Sequence, residues 1–459
     1  MVNLKFLFCI PLLLVSCVSF HSKPISPVRT LSDFQARKLD NPGLRKFLET
    51  NLKKEIDSWP LKTWDFETLS LVALYYHPDL DVARAQWDVA KAKVVTAGGR
   101  PNPSFQVLPE LVSNAATGIS PWILGFSLDI PIETAGKRGY RVREAKALSE
   151  AARLKIATVA WQIRSRLRDK LLDLYSARQA IEILQKETVL QEENLKLITA
   201  RQADGAVSPL ALAEAQVVHG QTLLSFQDAQ KRAVEGESQV AEALGLPLEA
   251  LQKIFFSFAS FDSLLSSKNL PLGKMRQEAL LNRPDILGAL REYEASEASL
   301  QQEVAKQYPD IHLGPGYTWD QGSKKWALGL SFSLPIFNRN RGSIAEAEAR
   351  RQEAAAKFIA LQSHILSEID RTWNGYQAAY QKWKAADALQ SARMRQQKLL
   401  ESIGGGAGEM RRVSYLNNLR SLNVIRLIRL DVFLNTQKAL GLLEDAIQRP
   451  LEGEAFNAE

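Results

Sequence analysis

Two cysteines, five histidines and scattered pairs of carboxylates are the residues through which this chain of 459 residues could do chemistry. Cys9 and Cys17 both lie near the start, which excludes a disulfide framework, a thiolate zinc site and a cysteine nucleophile from the body of the chain. His21, His77, His219, His312 and His364 stand far apart, with neither His-x-x-x-His nor Glu-x-x-His spacing, so no zinc motif is present. The glycines at 404, 405, 406 and 408 follow a helical stretch and precede no Gly-Lys-Ser/Thr, so they do not form a phosphate loop. Gly98-Gly99 lacks the dinucleotide fingerprint. Asp169 and Asp173 sit at helical spacing among basic residues and read as solvated side chains or interhelical salt-bridge partners. We expect no catalytic constellation, no cofactor, no metal site and no enzyme. Net charge is +7, with bases and acids interleaved, which excludes a nucleic-acid stripe. No run of 18 apolar residues occurs, so no helix of the mature chain is expected to span a bilayer.

The elements that must position whatever function exists begin with an address. Residues 1–16 read as a secretion signal: Lys5, then an apolar run from Phe6 to Val15. The run ends in Leu14-Val15-Ser16-Cys17, which looks like a bacterial lipobox, and makes Cys17 the expected lipidation site. An ordinary signal peptide with an incidental cysteine is the alternative. Residues 17–65, with several prolines and mixed charge, read as a lipid-anchored extended arm.

From residue 66 the chain repeats itself. His77-Pro78-Asp79-Leu80 returns as Arg283-Pro284-Asp285-Ile286, and Pro103-Ser104-Phe105 as Pro309-Asp310-Ile311. Ser127-Leu128-Asp129-Ile130-Pro131-Ile132 returns as Ser331-Phe332-Ser333-Leu334-Pro335-Ile336. The order is kept, so we read a tandem duplication: one unit at 66–245, a linker at 246–273, a second unit at 274–447, and a tail at 448–459. No proline occurs between Pro131 and Pro209 or between Pro335 and Pro450, and strong helix formers fill both gaps. Ile163, Leu167, Leu171 and Leu174 keep the helical spacing of a buried stripe. A helix over 137–203 would be roughly 100 Å long and one over 342–403 roughly 93 Å, lengths that require coiled-coil neighbours. A shorter helix follows each, over 209–244 and 412–447, and another precedes each hairpin, over 66–97 and 274–307.

Between the helices lie two hairpins, at 104–132 and 310–336, whose strands alternate cleanly. Trp122, Leu124, Phe126 and Leu128 share one face, as do Tyr317 and Trp319, and Trp326, Leu330 and Phe332. The opposite face holds Gly125, Ser127 and Asp129, then His312, Gly314 and Thr318, then Gly329, Ser331 and Ser333. Half of a soluble sheet would alternate in the same way. Its outer face, however, would carry Lys, Glu and Thr, whereas here it is mostly Gly, Ser and Ala. We therefore expect the large residues to face lipid and the small ones a lumen. Four strands cannot close a barrel, and an open sheet edge is forbidden in lipid. Three copies give twelve strands; two would give an eight-stranded barrel filled by side chains.

This pattern resembles the TolC-type outer-membrane efflux family over about residues 66–447. Ala97-Gly98-Gly99-Arg100-Pro101-Asn102-Pro103 and Pro131-Ile132-Glu133-Thr134-Ala135-Gly136-Lys137-Arg138 look like the branch that serves heavy-metal efflux pumps. The resemblance implies a mostly α fold with membrane β: a homotrimer forming a twelve-stranded β-barrel, four strands per chain, on a long α-helical coiled-coil barrel in the periplasm. It further implies outer-membrane lipid around the barrel, a periplasmic adaptor, and an inner-membrane pump of the resistance-nodulation-division type. The family's adaptor-docking tip, an Arg-x-x-x-Gly turn, matches Arg201 and Gly205 followed by Ser208 in the first half. The second half has Gly404 to Gly408 without the arginine, and a plain loop reads that segment equally well. The acids that can line a gate past each tip are replaced by Ala211 and Ser414, with Glu214 and Glu409 nearby. The alternative function is a lipid-anchored coiled-coil adaptor or scaffold without a pore.

Overall fold

The computed structural model describes residues 18–252, 254–266, 270–402 and 409–451, with backbone only for 409–414. The signal segment 1–16, the lipidation candidate Cys17, the tip residues Gly404 and Gly408, and the end of the tail therefore lie outside the described residues.

The arm is not simply extended. It forms α1 (Pro27–Gln35) and α2 (Pro42–Leu52), each with proline at its first position and a polar cap, Ser26 and Asn41. Proline's fixed φ suits a first helical turn, whose N–H groups have no partner anyway. Leu44 and Leu48 of α2 and Trp64 of β1 (Thr63–Trp64) are fully buried, so the arm adds to the core rather than trailing from it.

The first unit then runs α3 (Phe66–Tyr76), α4 (Pro78–Gly98), β2 (Ser104–Leu111), β3 (Trp122–Ile132), α5 (Lys137–Ala203) and α6 (Pro209–Leu244). The linker contributes β4 (Phe255–Phe256), paired in parallel with β1. The second unit repeats the order: α7 (Leu272–Asn282), α8 (Pro284–Ala305), β5 (Ile311–Asp320), β6 (Ser323–Phe332), α9 (Arg341–Ser402) and α10 (Glu409–Ile447). The long helices have the expected 67 and 62 residues. The helices expected to be continuous over 66–97 and 274–307 are each broken in two, at His77 and at Arg283. Both residues precede a proline and adopt extended backbone, because the proline ring disfavours the helical conformation before it.

α5 is the spine of the molecule. α6, α10, α4 and α8 pack against it, and α9 packs against α8 and α10. On the side near the strands the helices make a row in the order α4, α5, α8, α9; on the far side the row runs α6, α5, α10, α9. Ile163, Leu167, Leu171 and Leu174 are all buried in the main core, where each stabilises by about 1.5–3 kcal/mol. The chain enters α4 through a tight crossing. Arg37 donates to the carbonyls of Tyr76 and Gly245 at 2.8 Å each. Gly245 has φ +69°, and a Cβ there would lie 2.8 Å from the Tyr76 carbonyl oxygen, so only glycine fits.

Where the rows end, large apolar residues stay exposed: Val89 and Val95 on α4, Leu224 and Val234 on α6, Ile359 and Leu399 on α9. Lateral flanks of this kind are unusual for a finished surface.

Candidate functional site

The four long strands form one antiparallel sheet in the order β2, β3, β5, β6. Alternation fixes its faces, since a one-residue slip would turn every side chain over. The register aligns the large residues in continuous rows. Val107, Phe126, Tyr317 and Trp326 are cross-strand neighbours. Phe105–Phe126 and Phe126–Tyr317 stack at 6.3 and 6.5 Å between centroids, and Tyr317–Trp326 lies at 4.8 Å. Leu124 pairs with Pro109 and Trp319, Leu128 with Phe105, Trp122 with Leu111, Leu330 with Leu313, and Phe332 with Ile311. All nine residues expected to face lipid therefore share one face. Lys324, opposite Trp319 beside the Gln321-Gly322 turn, is the exception on that face.

The small residues share the other face. Gly125 lies opposite Leu108 and Thr318, Ser127 opposite Gln106 and Gly316, Gly314 opposite Gly329, His312 opposite Ser331, and Asp129 opposite Ser104. Ser333 follows the last residue of β6. β6 itself begins at Ser323, earlier than the Trp326 expected from alternation, because Lys324 and Lys325 extend the ladder to a two-residue turn. One pair on this face has no signal in the sequence: His312 Nδ1 lies 3.0 Å from Asp129 Oδ1, across two strands and 183 residues. Leu108 and Ile123 are the large aliphatic residues on this side.

Among the described residues, nothing covers the sheet. Both edge strands are exposed along their length, and Trp326, Leu328 and Leu330 are 82%, 77% and 62% accessible. Among the described residues, no strand lies beside the outer edges of β2 and β6. A bare two-faced sheet with free edges is not a stable object in water.

The junction below the sheet is tied by hydrogen bonds and ion pairs. Thr134 donates its N–H to Asp310 Oδ1 at 2.9 Å and its hydroxyl to the Pro309 carbonyl, and Lys137 Nζ reaches Asp310 at 2.8 Å. Arg141 holds Glu133 in a fork and donates to the carbonyls of Ala97 and Gly99. Gly99 is extended rather than left-handed, so the chain leaves α4 directly into the strand approach.

At the opposite end, α5 turns into α6 through a glycine cap. Gly205 has φ +69°, Ala206 N–H donates to the Arg201 carbonyl at 2.8 Å and Gly205 N–H to Gln202 at 3.1 Å. This double closure satisfies the last carbonyls of a helix. Ser208 caps α6 by accepting from Ala211 N–H. Arg201 is half-buried, with Nε unpaired, while Gly205 and Ser208 are exposed. The three thus come together in one turn.

Between the two ends, α5 and α10 share a buried polar network that sequence reasoning missed. Arg168 donates to the Gln437 carbonyl at 3.0 Å and lies 3.8 Å from Glu444. Asp445 accepts from Trp161 Nε1 at 2.8 Å and from Ser165. Burial pushes the Asp445 carboxyl up and the Arg164 guanidinium down, each against opposing partners. Asp173 takes Lys438 at 2.6 Å, which settles it as an interhelical ion-pair partner. Among the described residues, no group of three or more His, Cys, Asp or Glu side chains could hold a metal ion, and no helix is long and apolar enough to cross a membrane.

The sequence profile of the family described as outer membrane efflux protein matches residues 70–246 and 275–403. The chain is 22% identical over 379 residues to the cobalt-zinc-cadmium resistance protein CzcC of Cupriavidus metallidurans, covering 81% of this chain and 87% of that one. It is 24% identical over 420 residues to the pyoverdine export outer membrane protein OpmQ of Pseudomonas aeruginosa, with 82% and 85% covered. Among solved structures, the outer-membrane channel OprN superposes with a TM-score of 0.68 at 17% identity, covering 94% and 98% of the two chains. CusC superposes at 0.67 and 19% identity, covering 86% and 94%. The chain belongs to the outer membrane efflux protein family and is an efflux protein, not an enzyme.

Proposed function

We propose that three copies close into one channel, a twelve-stranded barrel in the outer membrane continuous with a helical tunnel in the periplasm, built from a tandemly duplicated unit. The observation that carries this reading is the uncovered four-stranded sheet, with one apolar face, one small-residue face and two free edges. Unpaired edge amides cost several kcal/mol each in lipid, so the β6 edge of one copy must meet the β2 edge of the next. The exposed apolar flanks of α4, α6 and α9 support the same ring at the helical level. Nine residues from Trp122 to Phe332 then face lipid, and the Gly, Ser, Thr, Asp129 and His312 positions line the lumen.

The channel serves a tripartite pump, as passive conduit for a periplasmic adaptor and an inner-membrane transporter of the resistance-nodulation-division type. Arg201, Gly205 and Ser208 form the adaptor contact in one half of the tip, with the segment containing Gly404 and Gly408 in the other. Cys17 carries the lipid anchor. The likeness to CzcC supports metal cations as cargo, and OpmQ marks the competing possibility of a small organic molecule. Unboiled detergent extract tests the assembly: a heat-sensitive band at three times the chain's mass supports it, and a detergent-soluble single copy overturns it. Deletion of the gene, scored for cobalt, zinc and cadmium tolerance, tests the cargo.

A further inference from the structure

The apolar face does not stop at the last strand row. Below Ile132, Ile311 and Phe332, a cleft of about 680 Å³ opens between Thr134, Ala135, Tyr308 and Pro309. Its wall is almost wholly hydrocarbon, and Tyr308 stands 61% exposed at its lip. A tyrosine with an apolar body and a wet hydroxyl is the side chain favoured at a membrane–water boundary.

The charge beside this cleft is not balanced. Three carboxylates flanking the strand ends already hold their own bases: Glu133 with Arg141 at 2.6 Å, Asp310 with Lys137 at 2.8 Å, and Glu303 with Lys306 at 2.5 Å. Arg339 and Arg341, between β6 and the first turn of α9, are exposed and make no ion pair among the described residues. Asn340 between them donates to the Glu303 carbonyl at 2.8 Å, which ties this turn to the end of α8 just before Tyr308. Surplus arginine therefore lies at the level where the apolar surface ends.

We propose that this cleft binds a phospholipid of the periplasmic leaflet, with an acyl chain along Ile311, Phe332 and Tyr308 and an anionic headgroup on Arg339 and Arg341. The proposal rests on the membrane-barrel reading. In that ring the next copy's β2 lies beside β6, whose last residue Phe332 forms one wall of the cleft, while Thr134, Ala135, Tyr308 and Ile311 lie on the side away from that seam. An acyl chain continues the apolar face, and a phosphate meets the positive charge that the local acids leave over.

Native mass spectrometry of the full-length detergent-solubilised assembly tests this, with phosphatidylglycerol and phosphatidylcholine as the two probes. Phosphatidylglycerol should be retained preferentially, and Arg339→Gln and Arg341→Gln should each weaken that retention about fivefold while phosphatidylcholine is unchanged. A phosphatidylglycerol carrying a photoreactive group in its acyl chain should label Tyr308, Ile311 or Phe332. Equal retention of both lipids, arginine variants without effect, labelling confined to other surfaces, or a cross-link from Tyr308 to a neighbouring copy would each overturn the site. Loss of the assembly itself in the unsubstituted protein would instead overturn the barrel.

Discussion

Gly441 sits inside α10, nearly two turns before its C-terminal end, where glycine is about 1 kcal/mol worse than alanine on propensity alone. Gly441→Ala should nevertheless destabilise the protein. A Cβ at this position would overlap Arg168 Nη1 and lie 3.3 Å from its Cζ. The Arg168 side chain is 8% exposed and held between the Gln437 carbonyl and Glu444, so it cannot move aside without giving up those contacts. Displacing it leaves Glu444 and the Gln437 carbonyl without that partner. Breaking a buried charged pair costs about 3–5 kcal/mol. Subtracting the helix-propensity gain of about 1 kcal/mol leaves a net loss of about 2–4 kcal/mol. Arg168→Ala in the same chain removes the overlap, so the two changes should be strongly non-additive. The assay is the thermal midpoint of helical circular dichroism for the parent, both single variants and the double variant. A Gly441→Ala protein as stable as the parent, or a double variant whose loss is the sum of the two single losses, would refute the reasoning.

Three further outcomes follow from the geometry. Phe126 and Ser127 are adjacent but face opposite sides: Phe126→Arg should cost about 2–4 kcal/mol at mid-bilayer and block assembly, whereas Ser127→Arg should assemble and alter ion selectivity, both read by gel migration and conductance. Arg201→Ala should leave the oligomer intact and impair export; normal export would remove Arg201 from the docking contact. Burial pushes the His77 imidazole below its usual 6.5, against Asp79 and Glu242 and together with Arg166 and Arg37. The unfolded chain therefore takes up the proton first as pH falls, so stability present above 6.5 declines below it. His77→Asn, which keeps a cap for the Asp79 N–H, should flatten that decline in melts between pH 7 and 5; an unchanged slope contradicts it.

The parts of this fold that repeat with a fixed period were readable from sequence. Strict alternation placed both hairpin faces, because the period of a strand is 2 and each face is chemically uniform. Proline-free gaps placed α5 and α9 within a residue at each end. The misses turn on proline, read as a mark of extended chain in the arm and passed over inside 66–97 and 274–307. Pro27 and Pro42 start helices behind Ser26 and Asn41, and Pro78 and Pro284 restart them behind His77 and Arg283. Ser26, Asn41 and His77 cap with their side chains and Arg283 does not, but in all four a proline at the first helical position was the visible signal. The Arg168–Glu444 network could not be read, since long-range pairing leaves no local period and arginine is ordinarily exposed. Gly441 in a helix interior was its one visible trace. The Asp129–His312 pair was hidden for the same reason, its partners lying in different units.

The central claim is that identical copies complete a wet passage that one chain cannot enclose, and single-channel recording in a planar lipid bilayer tests it most directly. The purified assembly should insert and give discrete, reproducible current steps, and Ser127→Arg should change their ion selectivity. Protein that reaches the bilayer intact yet carries no current at any voltage, or steps indifferent to a charge placed at Ser127, would contradict the account.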